Sequence, residues 1–313
     1  MRGFSYHHGS IHKGSCTVNK NILGIDWGTS NRRAYLIDQS GACLAEHEDN
    51  QGMLAVGGRD KFVASLAGLL DAMRLPADVS VIMSGMVGSA SGWQEVAYQD
   101  AAAPLEGLPQ HLAPVTDPAW AGRCHIVPGY CYRDGAAVDV MRGEETQLLG
   151  AVALGHRDGW IVLPGTHSKW VLLRDGVIQS LATYMTGELF AMLSAGGTLS
   201  SMMSGDTTNA AGFAAGLDQA ALGQPLSNTL FRVRAGVVAK AAPAEQAAAL
   251  ASGLLIGAEF AAAALQAGQG ITVIGSPALA ARYAAAAAHF GLQYQVLDPH
   301  RVYCTAISQF IKA

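Results

Sequence analysis

Two short segments hold residue types and spacings that could do chemistry. The first is Ile25-Asp26-Trp27-Gly28-Thr29-Ser30-Asn31, an apolar run that ends in a carboxylate and then turns on Gly, Thr and Ser. An Asp at a strand end projects from a fixed point, Gly28 lets backbone approach a ligand, and N–H groups around Thr29 and Ser30 make an anion nest. A carboxylate beside such a nest, here Asp26, suits Mg²⁺ bridged to phosphate oxygens, because Mg²⁺ keeps several waters and takes one or two carboxylates. The second segment, Leu163 to Trp170, repeats the turn without the Asp: Gly165, Thr166, His167 and Ser168, with Lys169 able to reach a phosphate. Each alone reads equally well as an ordinary hairpin. The pair, followed by VIGSPALAARY with Gly275 and Ser276 opening a helix, has the order of a two-lobed nucleotide cleft. No GxxxxGK[ST] occurs and VIGSPALA lacks GxGxxG, so phosphates would be held by the paired hairpins.

These turns need strands to hold them. Ile22–Asp26 and Arg32–Asp38 read as a strand pair, Arg59 to Met73 as a helix stopped by Pro76, and Val79–Met83 and His125–Val127 as strands. Gly143 to Gly155 is helical, and WIVLPGTHSKWVLLRDGVI repeats the strand–turn–strand of the opening. Residues 186–265 are mostly helical by periodicity. Ile271–Ile274, an Ala-rich helix to His289, a strand Tyr294–Leu297 and a helix Cys304–Ile311 close the chain. The repeat predicts two lobes, 21–155 and 156–313, after a leader, 1–20, that reads as a tag or disordered segment.

The chain of 313 residues is half apolar and 14% charged, which excludes a disordered protein, and its net charge of −4 gives no footprint for nucleic acid or an anionic membrane. Five cysteines form no CxxC pair and no Cys/His group at zinc spacing, and with no secretion signal this predicts reduced thiols in the cytoplasm.

The segments IDWGTSNRRAYLID, GMVGSASGWQEVAY, VMRGEETQLLG, LPGTHSKWV, TYMTGELFAML and SGLLIGAE, in that order, resemble the 2-dehydro-3-deoxygalactonokinase family of the sugar kinase–hsp70–actin superfamily. The resemblance runs from Asn21 to the C-terminus. It implies a two-lobed α/β actin-like ATPase fold, ribonuclease H-like in each lobe, with the nucleotide between the lobes. It also implies ATP with Mg²⁺, and phosphorylation of 2-dehydro-3-deoxy-D-galactonate at its 6-hydroxyl.

A kinase of this type needs a carboxylate near the attacking hydroxyl. Glu144 and Glu145 open the helix after Arg142-Gly143. On a helical wheel Glu145 falls among Leu148, Leu149 and Val152, whereas Glu144 sits at the edge of that face and is the better candidate base. Asp139 is a rival, and both Glu residues also fit a helix N-terminus. For the sugar acid, Gly88, Ser89 and Glu95 offer backbone and hydroxyl partners and Trp93 a wall. Arg142, Arg32 or Arg33 would meet the substrate carboxylate. Thr186-Gly187-Glu188 reads equally as a helix start or a ligand contact. The alternatives kept open are a phosphohydrolase of the same superfamily and a non-enzymatic ATP-binding module. The oligomeric state is open, a homodimer included.

Overall fold

The computed structural model describes residues 21–203, 205–263 and 269–312; the expected leader 1–20 lies outside them. The apolar run from Ile22 forms β1 (Ile22–Trp27), antiparallel to β2 (Arg32–Ile37), which is antiparallel to β3 (Cys43–Asp49). After α1 (Met53–Val56) and α2 (Phe62–Ala72), β4 (Ser80–Gly85) runs parallel to β1. The short strands β5 (Gln99–Asp100), β6 (Ala113–Pro114) and β7 (Cys124–Ile126) precede a hairpin of β8 (Tyr130–Asp134) and β9 (Ala137–Met141). Helix α3 (Glu144–Ala153) then leads to β10 (Gly159–Leu163), β11 (Ser168–Arg174) and β12 (Val177–Tyr184). Four helices follow, α4 (Thr186–Ala195), α5 (Ala210–Ala221), α6 (Leu226–Val238) and α7 (Ala247–Ala263). The chain ends with β13 (Gly270–Ile274), α8 (Pro277–His289), β14 (Gln293–Leu297) and α9 (Pro299–Lys312).

One sheet has the order β3-β2-β1-β4-β7-β6 and the other β12-β11-β10-β13-β14; β5, β8 and β9 make a third, small sheet. In both large sheets an antiparallel meander is extended by two parallel strands beside its first strand. This makes β1 and β10 central, and explains their continuous apolar runs: Leu23, Ile25 and Trp27 in one, Ile161, Val162 and Leu163 in the other, are buried. The fold is α/β with two sheets of like topology.

The lobes are joined by two helices that swap sides. Leu148, Leu149, Ala151 and Val152 of α3 pack with Ile161, Leu163, Val171 and Leu173 of the second sheet. In the same apolar cluster, Val302, Tyr303, Ala306 and Ile307 of α9 meet Ile22, Tyr35 and Ile37 of the first sheet. A division that gives all of 156–313 to the second lobe therefore needs correcting at its end, because α9 packs on α3, β1 and β2. A Cβ on Gly24 of β1 would stand 2.7 Å from Ile307 Cγ1, so α9 lies directly on the strand. The last helix also begins at Pro299 rather than Cys304. The segment Ala244–Ala263 is long and apolar enough to span a membrane, but 67% of it is buried in the protein, where α7 packs on α5, α6 and α8.

The crossing of α3 and α9 depends on Gly150. A Cβ there would lie 2.0 Å from the carbonyl oxygen of Val302, a backbone atom that cannot swing aside. Gly150→Ala is expected to destabilise the protein by roughly 1–3 kcal/mol or more, as overpacking does. An unchanged urea midpoint would contradict the crossing.

Candidate active site

Asp26 is the penultimate residue of β1, in register with Arg33 of β2 and Ser84 of β4. Glu144 is the first residue of α3. The two are brought together where β4 ends at Gly85 and the chain enters α3 through Gly143. Both glycines have positive φ, 89° and 115°, and a Cβ on Gly143 would stand 3.2 Å from Gly85 Cα. Only residues without a side chain allow that approach. Burial pushes the Asp26 carboxyl up to about 6; Arg33 opposes this and the nearby Glu144 adds to it. Glu144 is also raised by burial, while Lys169 and His167 of the second lobe pull it down. Its Oε2 accepts the N–H of Arg142 at 3.1 Å. Glu144 is thus within electrostatic reach of both Asp26 in the first lobe and Lys169 and His167 in the second.

Glu145 behaves differently. It is fully buried, accepts the N–H of Gly143 at 2.6 Å, and is raised to about 8 by burial and by Glu144. Its placement as a catalytic carboxylate is corrected by this burial, which leaves it no path to a substrate. Asp139 is likewise committed, accepting from the Thr183 N–H at 2.7 Å and from Thr183 Oγ1 at 2.6 Å.

In the second lobe, Gly165, Thr166 and His167 stand at the turn between β10 and β11. A Cβ on Gly187 would lie 2.4 Å from the Gly165 carbonyl oxygen, so the start of α4 rests on this turn. His167 Nε2 meets Glu188 Oε2 at 2.6 Å, and the Glu188 N–H donates to Thr166 O. Gly275 abuts Pro164 of the same turn, and Ser276 is exposed beside it at the head of α8. Ser168 and Lys169 turn the other way, and their assignment to phosphate is corrected. Ser168 is fully buried and donates to Glu259 Oε2 at 2.8 Å. Lys169, 6% exposed, donates to Val140 O and Thr183 Oγ1, tying β9 to the second sheet.

Glu259, which composition did not single out, is fully buried in α7 and accepts also from Trp170 Nε1 at 2.7 Å and Tyr283 OH at 2.6 Å. It is the one charged residue in Ala247–Ala263, which was the available signal. Its carboxylate fixes the inner wall of the second hairpin.

In the first lobe, Gly28 gives its N–H to Asn31 O, so it does not open an anion nest; Thr29 and Ser30 are exposed. Trp93 is corrected from a pocket wall to core: it is 6% exposed and stacks on Phe62 with centroids 6.1 Å apart. Ser89 Oγ donates to Met86 O at 2.8 Å, and Glu95 is exposed. Gly88 is buried, and a Cβ on it would lie 2.9 Å from Arg142 Nη1. The three arginines separate clearly. Arg32 is held by Asp49 and by Ser65, and Arg33 by Glu48. Arg142 gives Nη2 to Val96 O and lies over the Tyr98 ring at 4.3 Å, but its buried Nε and Nη1 have no partner. Buried donors of a cation are rarely left unpaired, so they mark a place for an anion.

Like-topology sheets joined by crossed helices, with the Asp26 carboxylate near a strand end and Glu144 at a helix start, define a two-lobed actin-like ATPase fold of the sugar-kinase type. The activator of 2-hydroxyisocaproyl-CoA dehydratase from Clostridium difficile, solved with ADPNP, shares this fold at a TM-score of 0.50 and 12% identity, over 93% of this chain and 95% of its own. Within that class the chain belongs to the 2-keto-3-deoxy-galactonokinase family, whose profile matches residues 26–310. The 2-dehydro-3-deoxygalactonokinase of Escherichia coli (strain K12) is 36% identical over 85% of this chain and 89% of its own length. The protein of Rhizobium meliloti (strain 1021) named "Probable 2-dehydro-3-deoxygalactonokinase DgoK1" is 37% identical over 92% and 96%. A crystal structure from Sinorhizobium meliloti bearing the same enzyme name superposes at a TM-score of 0.85, with 34% identity over 93% and 96% of the two chains.

Raised carboxyl groups set a sign for stability. Asp26 and Glu145 hold protons more tightly folded than unfolded, so stability of the ligand-free protein falls as pH rises from about 4 to about 8. Asp26→Asn removes the Asp26 share. Its melting temperature at about pH 7.5 should exceed that of the parent by the equivalent of up to about 3 kcal/mol, with the gap closing below about pH 4. A variant less stable than the parent at neutral pH would contradict the half-buried, raised Asp26.

Proposed function

We propose that this chain is an ATP-dependent 2-dehydro-3-deoxygalactonokinase that transfers the γ-phosphoryl group to the 6-hydroxyl of 2-dehydro-3-deoxy-D-galactonate. The observation that carries this reading of the site is Glu144, the first residue of α3, which Asp26 and the Lys169 and His167 charges of the second lobe all reach. Glu144 orients the acceptor hydroxyl and takes its proton. Burial raises its basicity, as a general base working near neutral pH requires. Phosphoryl transfer is mostly positioning and electrostatics, so the fixed hydrogen bond from the Arg142 N–H to Glu144 matters as much as basicity. Asp26 is an oxygen donor whose burial raises it and whose ionised form a cation would favour, which fits Mg²⁺; there the ion would neutralise phosphate charge.

The turns at Gly28–Ser30, Gly165–His167 and Gly275–Ser276 line the nucleotide side of the cleft between lobes divided near residue 155. On the other side, Arg142 receives the substrate carboxylate on Nε and Nη1, beside Gly88 and Tyr98. This makes the protein a cytoplasmic enzyme whose partner is a small sugar acid, with no need of nucleic acid or membrane; a homodimer is compatible with it.

A coupled ADP-release assay across a panel of sugar acids tests the activity. Release should require both Mg²⁺ and the galactonate-derived acid. Release at the same rate without any sugar acid would instead favour a phosphohydrolase. For the base, Glu144→Gln should lower turnover by roughly 10²–10⁴-fold with nucleotide binding kept. Glu145→Gln mimics the protonated carboxyl that burial favours, and should leave turnover within a few-fold of the parent. The reverse pattern would exchange their roles.

Arg142→Lys keeps the charge but loses the planar fork. It should raise KM for the sugar acid at least about tenfold while KM for ATP stays constant, the loss expected when a buried charged hydrogen bond is broken. Equal rises in both would remove Arg142 from the acceptor site.

A further inference from the structure

Cysteines that share no local motif meet in three dimensions. Cys43 opens β3, and His300 and Cys304 sit one turn apart on α9, so they share a helix face. One ligand atom from each of the three lies within 4.8 Å of the others. Positions 43, 300 and 304 have no zinc spacing in the sequence, so only the fold shows this group. The pairing of β2 with β3 shifts register between Leu36 and Ile37, adding a residue to β3 near Cys43. Glu46 then comes to the same side: its Oε2 is 3.5 Å from His300 Nδ1, and its charge reaches both thiols. The His300 ring is fixed by stacking on Tyr35, centroids 4.8 Å apart.

Two thiols, an imidazole and a carboxylate are the donor set of a zinc-class ion, and a poor one for Mg²⁺ or Ca²⁺. With bonds of about 2.3 Å to sulfur and about 2.0 Å to nitrogen, donors in a tetrahedral zinc site stand about 3.5–3.8 Å apart, so the three ligand atoms need to close by up to about 1.3 Å, with Glu46 turning in from its place beside His300. The group also has a mechanical role available to it. It joins the edge strand of the first sheet to the helix that crosses between the lobes, and the neighbouring Tyr303 OH lies 3.0 Å from Ser84 Oγ, next to Asp26 in the sheet.

We infer that Cys43, His300 and Cys304, with Glu46 as fourth donor, bind one zinc-class divalent ion that fastens α9 to the edge of the first sheet. The site is separate from the Asp26–Glu144 pair, and its ion is structural. Binding displaces the two thiol protons to solvent and changes no oxidation state.

The test uses the full chain, stripped of metal and kept reduced, against a Cys43→Ser/Cys304→Ser variant titrated with Co²⁺ and then Zn²⁺. The histidines and the cysteine of residues 1–20 are common to both proteins and cancel in the comparison. The parent should take up one equivalent of Co²⁺ with thiolate-to-cobalt charge-transfer absorption and tetrahedral visible bands, both displaced by Zn²⁺. Zn²⁺ should raise its melting temperature and leave that of the variant unchanged. Should the double variant fail to fold, His300→Ala, which alters a part-exposed side chain, should weaken Co²⁺ binding at least about tenfold. No charge-transfer band in the parent, identical titrations of parent and variants, or a Cys43–Cys304 disulfide found by mass in the zinc-treated reduced protein would each overturn the inference.

Discussion

Two carboxylates that would separate in water are held together here at the junction of two lobes. Asp26 ends a central strand and Glu144 begins the helix that leaves the first lobe, so neither can move away without moving an element. Burial and mutual repulsion raise Asp26 to about 6. That is a cost to the ligand-free fold, and the rest of the structure is arranged to bear it. Gly85 and Gly143 let the backbones touch, and Arg33 and Lys169 each lend a charge from one side. On the proposed reading, a cation brought to the pair would relieve the same strain and so couple stability to binding.

The crossed helices keep the pair in place. Helix α3 carries Glu144 from the first lobe but buries its apolar face on the second sheet, while α9 comes from the second and lies on β1. In the second lobe the Glu259 carboxylate, with Ser168, Trp170 and Tyr283 around it, gives the hairpin a rigid back, leaving Gly165 to His167 at the front.

Much of this was legible in the sequence because it is local. Ile22–Asp26 and WIVLPGTHSKWV read as strand–turn–strand by alternation and turn residues alone, and their repetition gave the two lobes. Side-chain direction was harder. Ser168 and Lys169 stand in a turn that looks made for phosphate, yet each leaves β11 toward the interior, and that depends on α7 and β9 arriving from elsewhere. Trp93 looked like a ligand wall because nothing near it in sequence shows that Phe62 covers it. That Arg32 and Arg33 are already paired was not readable, because the carboxylates of Asp49 and Glu48 come from β3. That strand was itself unread, since its exposed Glu and Asp residues carry little apolar signal. The burial of Glu145 was readable because a helical wheel needs only neighbouring residues.

The most direct measurement of the central claim is the proton balance of nucleotide binding, read from calorimetry in buffers of different ionisation enthalpy. On the proposed reading, in which a carboxyl near 6 ionises as cation and nucleotide enter, Mg·ADP binding at about pH 6 should release about half a proton. The release should vanish in Asp26→Asn. Binding enthalpies that do not change with buffer in the parent, or that change equally in parent and variant, would contradict a raised, half-buried Asp26 as the constraint around which this site is built.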